Sequence, residues 1–177
     1  MKLLLSPHND DETLFAAYTI LREKPFVIIV TDSYIQEERG DKITWDQRRR
    51  ETEQALTMLG SEAHFLGIPD TDLNHFELHE ILKVYDAEVI YAPAIQGGHR
   101  QHDMVGEVAR ELWGKKVKYY ATYTKTDLTP KGDVEIKPTE IEKQMKNDAL
   151  DCYTSQIRIN KLHFDAVRDK SEWFVNY

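Results

Sequence analysis

Side chains that can bind a divalent metal are concentrated in residues 6–12. This segment contains one imidazole and three carboxylates, those of His8, Asp10, Asp11 and Glu12. Acidic residues at the start of a helix are often only caps and partners of the helix dipole, and these carboxylates would serve that purpose without any chemistry. The imidazole of His8 directly before them is more than a cap needs, and it indicates a candidate metal site.

A second group of candidate ligands lies in residues 97–102. His99 and His102 are three residues apart, and two consecutive glycines precede them. A histidine pair alone also fits a solvated helix N-terminus, but the glycines allow a tight turn and close approach of the backbone to a ligand. Together the two segments predict a metal centre. Cys152 is the only cysteine, so histidine and carboxylate ligands are expected, and no internal disulfide can form.

Both segments resemble motifs of a known family. Residues 8–12 are similar to the His-Pro-Asp-Asp-Glu motif of the PIG-L or LmbE-like zinc-dependent N-deacetylases, and residues 97–102 resemble their Gly-Gly-His-Pro-Asp-His motif. That family acts on N-acetylglucosamine-containing and related small substrates. Further similarities extend the resemblance over most of the chain, at Arg48, Glu51, Ala55, Leu59-Gly60, Leu66-Gly67, Asp70, Lys146, Ala149 and residues 153–156.

The resemblance implies a metal-dependent hydrolase that removes an acyl group, normally acetyl, from the amide of a small sugar-like substrate. It assigns the metal to His8, Asp11 and His102. Zn²⁺ is the expected cofactor, with Fe²⁺ or another divalent metal as alternatives. A catalytic zinc keeps three protein ligands and one open position for water, and the three assigned residues agree with that number.

Four further residues receive roles from the same resemblance. Asp10 is expected to act as general base for the water on the metal and to return the proton to the departing amine. His99 is expected to stabilise the oxyanion. Arg48 and Asp70 are candidates to hold substrate hydroxyls, although by themselves they also fit a solvated helix charge and a turn former.

The sequence departs from the family motifs at three places. Asn9 stands where the family has proline, which should only loosen the turn. Gln101 stands where the family has an aspartate that orients the neighbouring histidine, so an imidazolium at His99 would lack a charged partner. Residues 31–34 read Thr-Asp-Ser-Tyr instead of a glycine–acid turn, so substrate contacts there cannot be transferred.

Composition excludes several classes of partner. The formal net charge of the 177 residues is -8, which would repel a nucleic-acid backbone. The apolar start at residues 3–5 is interrupted by Pro7, so it is shorter than a signal peptide or a membrane span. We therefore expect a cytoplasmic protein whose partner is a small N-acylated molecule, without nucleic-acid or membrane partners; the oligomeric state stays open.

Apolar periodicity predicts an α/β fold, a Rossmann-like three-layer sandwich with a mostly parallel central sheet, as a single domain over residues 1–177. The predicted strands are residues 2–6, 26–31, 63–66, 87–92 and 116–123, and the predicted helices are residues 14–21, 48–59, 78–85, 105–113 and 141–152. Open parallel sheets bind ligands at the carboxyl ends of their strands. Because the two ligand-bearing segments follow the first and fourth strands, we expect them to meet there.

Two other interpretations remain open. The spacing of His8 and Asp10 also fits the facial triad of iron-dependent oxygenases, although that triad normally lies in an all-β barrel. Gln101 and the altered turn at Asp32 are compatible with a metal-binding protein of this fold without turnover.

The remaining histidines are interpreted without a catalytic role. His75 and His79 lie four apart on a predicted helix but lack the metalloprotease motif, so a solvated helix face is expected. His64 and His163 have no acidic neighbours of suitable spacing.

Overall fold

The computed structural model describes residues 1–33, 35–36 and 42–177. Tyr34, the last residue of the altered turn, lies outside the described residues. The strands are β1 Lys2–Ser6, β2 Phe26–Asp32, β3 Ile35–Gln36, β4 Lys42–Ile43, β5 Ala63–Pro69, β6 Val89–Pro93, β7 Val117–Tyr120, β8 Val134–Ile136 and β9 Glu172–Val175. The helices are α1 Asp11–Glu23, α2 Trp45–Leu59, α3 His75–Leu82, α4 Arg100–Trp113, α5 Glu140–Leu150 and α6 Thr154–Val167.

The central sheet has the strand order β5-β2-β1-β6-β7-β9-β8. Its first five strands pair in parallel, and β9 and β8 extend the sheet in antiparallel pairing. The short strands β3 and β4 form a separate antiparallel pair. The predicted α/β class with a mostly parallel central sheet is therefore confirmed.

The core lies on both faces of this sheet. Successive residues of β1 alternate between the faces, with Leu4 in one apolar cluster and Leu3 and Leu5 in the other, and all three are fully buried. A continuous apolar run is typical of a parallel strand covered on both sides. Residues of α1, α2, α5 and α6 cover the Leu4 face, and residues of α3 and α4 cover the opposite face.

The position of the metal centre follows from the strand order. The chain runs from β1 to β2 and β5 on one side of the sheet and then returns to β6 on the other side of β1. In such sheets a crevice forms outside the carboxyl ends of the strands where the order reverses. The segments that carry His8 and His102 follow β1 and β6, so both histidines reach this crevice.

Helix α1, whose first turn carries Asp11, is interrupted at Ala16 (φ -139°, ψ 20°). A buried ion pair compensates for the interruption. The carboxylate of Glu172 accepts hydrogen bonds from the backbone N–H of Tyr18, and Lys146 Nζ donates to the carbonyl oxygen of Leu14 at 2.8 Å. Lys146 and Glu172 lie 2.9 Å apart. The pair thus satisfies backbone groups that an unbroken helix would satisfy itself.

The structure also corrects several predicted elements. The sequence predicts five strands, but the main sheet of the described chain has seven, because β8 and β9 are too short to show a period. Residues 121–123, predicted as strand, follow the end of β7 at Tyr120, and Thr122 contacts His102. The last predicted helix ends at Leu150 instead of residue 152, and the following helix α6 is not predicted. None of the described helices is long and apolar enough to cross a membrane.

Candidate metal centre

Three donor atoms from the two segments converge at the carboxyl ends of β1 and β6. His8 Nδ1 lies 2.9 Å from Asp11 Oδ2, and His102 Nε2 lies 3.0 Å from the same oxygen. The two nitrogens are 3.3 Å apart. In a tetrahedral zinc site, ligand atoms about 2.0–2.1 Å from the metal lie about 3.3 Å from one another. The spacing and the chemistry of this nitrogen and oxygen set therefore fit a divalent metal.

The outer nitrogens of both imidazoles have partners that orient the rings. Gln101 Nε2 donates to the carbonyl oxygen of Asp70 at 2.7 Å, so its Oε1 faces His8 Nε2, 2.5 Å away. In the neutral form of His8 the ring proton must then lie on Nε2, and the lone pair lies on Nδ1. His102 Nδ1 lies 3.3 Å from Thr122 Oγ1. Such outer contacts are typical of metal-binding histidines.

The charges in the centre require a cation at Asp11. Burial by itself raises the pKa of Asp11, but the adjacent His102 and His8 lower it strongly, so the carboxylate is ionised. Burial lowers the pKa of His8, but Asp11 raises it to about 9. In the absence of a metal, a proton on His8 therefore balances the buried carboxylate. A divalent metal would displace that proton, because ligands must be deprotonated to bind.

His99 is close to the cluster but is placed differently. The three imidazoles of His8, His99 and His102 have ligand atoms within 4.8 Å of one another. His99 Nδ1, however, accepts a hydrogen bond from the backbone N–H of Gln101 at 3.3 Å, as the N-cap of α4. Burial, with His8 and His102 nearby, lowers its pKa to about 4. His99 is therefore neutral near pH 7 and carries its proton on Nε2. The shorter distances favour Asp11 over His99 as third ligand.

Asp10 lies beside the cluster and contacts Arg48. Burial raises the pKa of Asp10 to about 7, although Arg48 opposes this shift. The Arg48 guanidinium is 3.5 Å from Asp10 Oδ2 and donates to the carbonyl oxygen of Asn9 at 3.3 Å. Arg48 is only 3% exposed, so its interpretation as a solvated helix charge is wrong. An acid with a pKa near 7 is suited to exchange protons at neutral pH.

Glu12, the last residue of the first motif, holds the loop in place. Its carboxylate accepts hydrogen bonds from Ser6 Oγ at 2.8 Å and from the hydroxyl of Tyr153. Ser6 Oγ in turn accepts from the backbone N–H of Glu12. Glu12 is completely buried. It ties the end of β1 to the start of α6 and lies outside the set of candidate ligands.

A cavity of about 250 Å³ opens above the cluster. Its lining includes the predicted residues His8, Asp10, Asp11, Arg48, Asp70 and His99. One carboxylate oxygen of Asp70 is buried and has no hydrogen-bond partner among the described residues. The cavity also contains side chains that sequence reasoning missed, namely Ser33, Tyr123, Gln156, Asn160 and His163. Gln156 lies in residues 153–156, which resemble the family but received no role. The other four come from segments without a recognisable motif, and His163 is given no role from the sequence alone.

Comparison of the sequence with protein families shows the family to which the chain belongs. The family described as PIG-L, GlcNAc-PI de-N-acetylase, matches residues 3–113. The chain belongs to the PIG-L family. PIG-L membership supports a metal-dependent deacetylase or related hydrolase, and the match includes all of the predicted site residues. No curated protein sequence is significantly similar to the chain.

Solved structures share the PIG-L fold along the whole chain. The conserved protein TT1542 from Thermus thermophilus is 20% identical, with a TM-score of 0.74, and the match covers 99% of this chain and 93% of that one. The zinc-inhibited form of teicoplanin deacetylase Orf2 is 15% identical, with a TM-score of 0.73 and coverage of 98% and 97%. GalB, the 4-carboxy-2-hydroxymuconate hydratase from Pseudomonas putida KT2440, is 16% identical, with a TM-score of 0.71 and coverage of 99% and 95%. At these identities the likeness shows the fold alone.

The departures from the PIG-L motifs have structural consequences. With Gln101 in place of aspartate, an imidazolium at His99 was expected to lack a charged partner, and the lowered pKa of His99 agrees with that expectation. The Gln101 side chain contacts His8. The carboxylate of Asp32, in the altered turn, accepts hydrogen bonds from Arg49 Nε at 3.1 and 3.2 Å. The Asp32 carboxylate is therefore paired with Arg49. No substrate contact was assigned to this turn from the sequence, and the pairing agrees with that.

His64, His75 and His79 lie outside the PIG-L motifs, and their contacts are with residues outside the candidate metal centre. His75 Nε2 is 3.3 Å from Glu111, and His79 Nδ1 is 3.5 Å from Glu80, both at the exposed side of α3. The ring of His64 stacks on Phe26, with centroids 6.1 Å apart. The expected solvated helix face thus agrees with the contacts of α3.

Proposed function

We propose that this protein hydrolyses the N-acyl amide, in the first instance an N-acetyl amide, of a small sugar-like molecule with the help of a divalent metal. One observation carries the proposal. His8, Asp11 and His102 present three donor atoms within 3.3 Å of one another at the base of a small polar cavity, with Asp10 beside them.

His8, Asp11 and His102 are the residues that would hold the metal, with zinc favoured by their two imidazole nitrogens and one carboxylate oxygen. A zinc ion in such a set lowers the pKa of a water molecule and polarises a carbonyl oxygen. Gln101 and Thr122 keep the two imidazoles in the orientation that presents Nδ1 of His8 and Nε2 of His102. The protein thereby supplies a site that is organised before substrate arrives.

Asp10 is the group that moves protons in this proposal. With its pKa raised to about 7 by burial, its carboxylate can take a proton from the attacking water and keep it next to the scissile bond. The same carboxyl group then delivers the proton to the departing amine nitrogen. Arg48, 3.5 Å away, holds the carboxylate in place and prevents a still larger rise in its pKa.

His99 donates a hydrogen bond in this proposal. Its Nδ1 accepts from the backbone of α4, so the Nε2–H group is available to the oxygen of the scissile carbonyl. A neutral imidazole stabilises developing negative charge as a hydrogen-bond donor, without a positive charge of its own. The absence of an aspartate at position 101 is therefore compatible with this role.

Arg48 and Asp70 are the proposed substrate-binding residues. Both residues line the cavity. The carboxylate of Asp70 can accept a hydrogen bond from a substrate hydroxyl. The guanidinium of Arg48 carries N–H groups beside the one that contacts Asp10 and Asn9, and these are donors for a substrate oxygen.

The alternatives have less support. For the oxygenase triad the relevant pair is His8 and Asp10, but the carboxylate that lies between the imidazoles belongs to Asp11, and the fold is α/β. GalB shows that this fold also occurs in a hydratase. Product analysis separates these reactions, because only amide hydrolysis releases one amine and one carboxylic acid from each substrate molecule.

The test begins with metal content and acetate release. We expect about one divalent metal per chain, and we expect release of acetate and amine from N-acetylated amino sugars that stops after chelation and returns with zinc. The variant Asp10→Asn should keep the metal and lose about 10²- to 10⁴-fold in kcat. Full activity of Asp10→Asn would remove Asp10 as the base. Metal binding without any amide hydrolysis would favour the non-catalytic interpretation.

A further inference from the structure

Helix α6 forms part of the cavity wall with three polar side chains on one face. Gln156, Asn160 and His163 are spaced four and three residues apart, which places them on the same side of a helix, and all three line the cavity above the metal centre. The PIG-L match ends at residue 113 and does not reach this helix. Of the three residues, only Gln156 lies in a segment that resembles the family, and the resemblance gives it no role.

These side chains have hydrogen-bonding capacity to offer. Among the described residues, Gln156 makes one side-chain hydrogen bond, from Nε2 to Ser155 Oγ at 3.1 Å, which leaves its Oε1 available. Asn160 and His163 have no side-chain hydrogen bonds with described residues. The His163 ring packs edge-on against Tyr123, with centroids 5.0 Å apart, so its position is fixed by packing. Gln156 and His163 are thus held in place with hydrogen-bonding capacity that a ligand could use, whereas Asn160 is an exposed residue at the cavity wall.

The backbone of α6 departs from helical geometry at Asn160. Its dihedral angles are φ -122° and ψ 31°, although the helix continues to Val167 on its far side. No proline or glycine occurs in α6 to cause the break. The kink therefore lies between Gln156 and His163, and residues on both sides of it line the cavity.

The charge of the cavity indicates which scaffold it accepts. Arg48 is the only lysine or arginine in the described lining, and it already contacts Asp10. Asp70 adds a carboxylate with an unpartnered oxygen, and α6 contributes two amides and an imidazole. Among the described lining residues, a substrate carboxylate or phosphate would therefore find only a guanidinium that already contacts Asp10, and it would meet Asp70. Hydroxyl groups, by contrast, can donate to the carboxylate of Asp70 and can both donate to and accept from the amides of Gln156 and Asn160.

We propose that Gln156, Asn160 and His163 of α6 bind the non-reacting part of the substrate and select an uncharged, hydroxyl-bearing scaffold over a carboxylated one. This inference rests on the proposed amide hydrolysis, which places the reacting amide of the substrate at the candidate metal centre. The volume of about 250 Å³ is below the roughly 300–1,000 Å³ of pockets for drug-sized ligands. The scaffold is accordingly a single ring of sugar size.

The experiment compares neutral and carboxylated probes on the zinc-loaded protein. Amine release is measured from N-acetylglucosamine and N-acetylgalactosamine and from the uronic acid counterpart of each, which differs only in a carboxylate at carbon 6. We expect the neutral probes to have a kcat/KM at least about 10-fold higher. If no probe is hydrolysed, the dissociation constants of the same four intact probes are measured by NMR titration of the zinc-loaded protein.

The variants Asn160→Ala and His163→Phe remove hydrogen-bonding groups, and the phenylalanine keeps the ring contact with Tyr123. Each should raise KM, or the dissociation constant, for the neutral probes by about 3- to 10-fold, with little change in kcat and with unchanged zinc content. Leu162→Ala is the matched control, since Leu162 is 71% exposed on the same helix and lies outside the cavity lining. Asn160→Lys should reverse the preference in favour of the carboxylated probes.

The outcomes separate this inference from the proposed function. Binding of neutral probes that depends on Asn160 and His163, without amine release, would support the α6 role and refute the hydrolase. Amine release that is unchanged in both variants would leave the hydrolase standing and overturn the α6 role. A preference of the unaltered protein for carboxylated probes, or no binding of either neutral probe, would also overturn it.

Discussion

Gln101 Oε1 lies 2.5 Å from His8 Nε2, and the same side chain donates to the carbonyl oxygen of Asp70 at 2.7 Å. One amide thus joins the loop after β1, the start of α4 and the end of β5. Because the backbone carbonyl can only accept, the amide is oriented with its oxygen toward His8. The residue that departs from the family motif is therefore the one that fixes the tautomer of a proposed metal ligand.

Removal of the Gln101 amide should weaken metal binding. We expect Gln101→Ala to lower zinc affinity by about 10- to 100-fold, the usual effect of losing a partner of a metal-binding histidine. Gln101→Glu keeps an oxygen acceptor for His8 and should retain most of the affinity. Competition with a chromophoric chelator measures both, and Gln144→Ala, at an exposed position of α5, is the control. An affinity of Gln101→Ala equal to that of the unaltered protein would contradict the assigned role.

Substitution of His102 should abolish stoichiometric metal binding. His102 is 1% exposed and contributes one of the three converging donor atoms, so His102→Ala leaves only two. The unaltered protein should gain thermal stability when zinc is added, because a ligand that binds only the folded state stabilises it. His102→Ala should gain none. His79→Ala, on the exposed side of α3, should respond to zinc as the unaltered protein does; zinc stabilisation of His102→Ala would exclude His102 as a ligand.

Gly98 is required by a close approach of two backbone segments. A Cβ atom at position 98 would lie 2.0 Å from the carbonyl oxygen of Tyr123. From the sequence, the two glycines were associated with a close approach of the backbone to a ligand. At Gly98 the close approach is instead to the backbone of Tyr123. Gly98→Ala should lower the free energy of unfolding by about 1–3 kcal/mol and reduce activity, since the backbone before His99 must move.

Position 97 provides the contrast for this steric effect. Gly97 has φ +71° and open space around it, and asparagine tolerates this left-handed conformation. Gly97→Asn should therefore be nearly as stable as the unaltered protein in urea unfolding. Equal stability of Gly98→Ala and Gly97→Asn would show that the close contact with Tyr123 does not require a glycine at position 98.

The buried ion pair behind α1 should be sensitive to the loss of one partner. Lys146 and Glu172 are 1% and 3% exposed, so Lys146→Met leaves a buried carboxylate unpaired and should lower the free energy of unfolding by about 3–5 kcal/mol. Adding Glu172→Gln removes that charge and should restore part of the loss. Lys143→Met, which removes a partner of the exposed Glu140, should change stability by less than about 1 kcal/mol. Similar losses for Lys143→Met and Lys146→Met in urea unfolding would contradict this account.

Much of the metal centre could be predicted because its residues are close together in the sequence. Residues 8–12 and 97–102 form short motifs, and each follows an apolar run that reads as a buried strand. Since parallel strands gather their following loops at one edge, the meeting of His8 with His102 follows from local patterns alone. Asp10 and Asp11 could not be separated by spacing. Only the structure shows that Asp11 lies between the imidazoles and that Asp10 contacts Arg48.

The sequence by itself determined the α/β fold, the family and the two loops that carry the candidate ligands, because strand patterns and motifs are written in consecutive residues. The tertiary structure decided which side chains complete the site. Gln101 reaches His8 across 93 positions of the chain, and α6 supplies Gln156, Asn160 and His163 through a helix broken at its centre. These contacts depend on the packing of distant elements, which leaves no period or motif in any one segment.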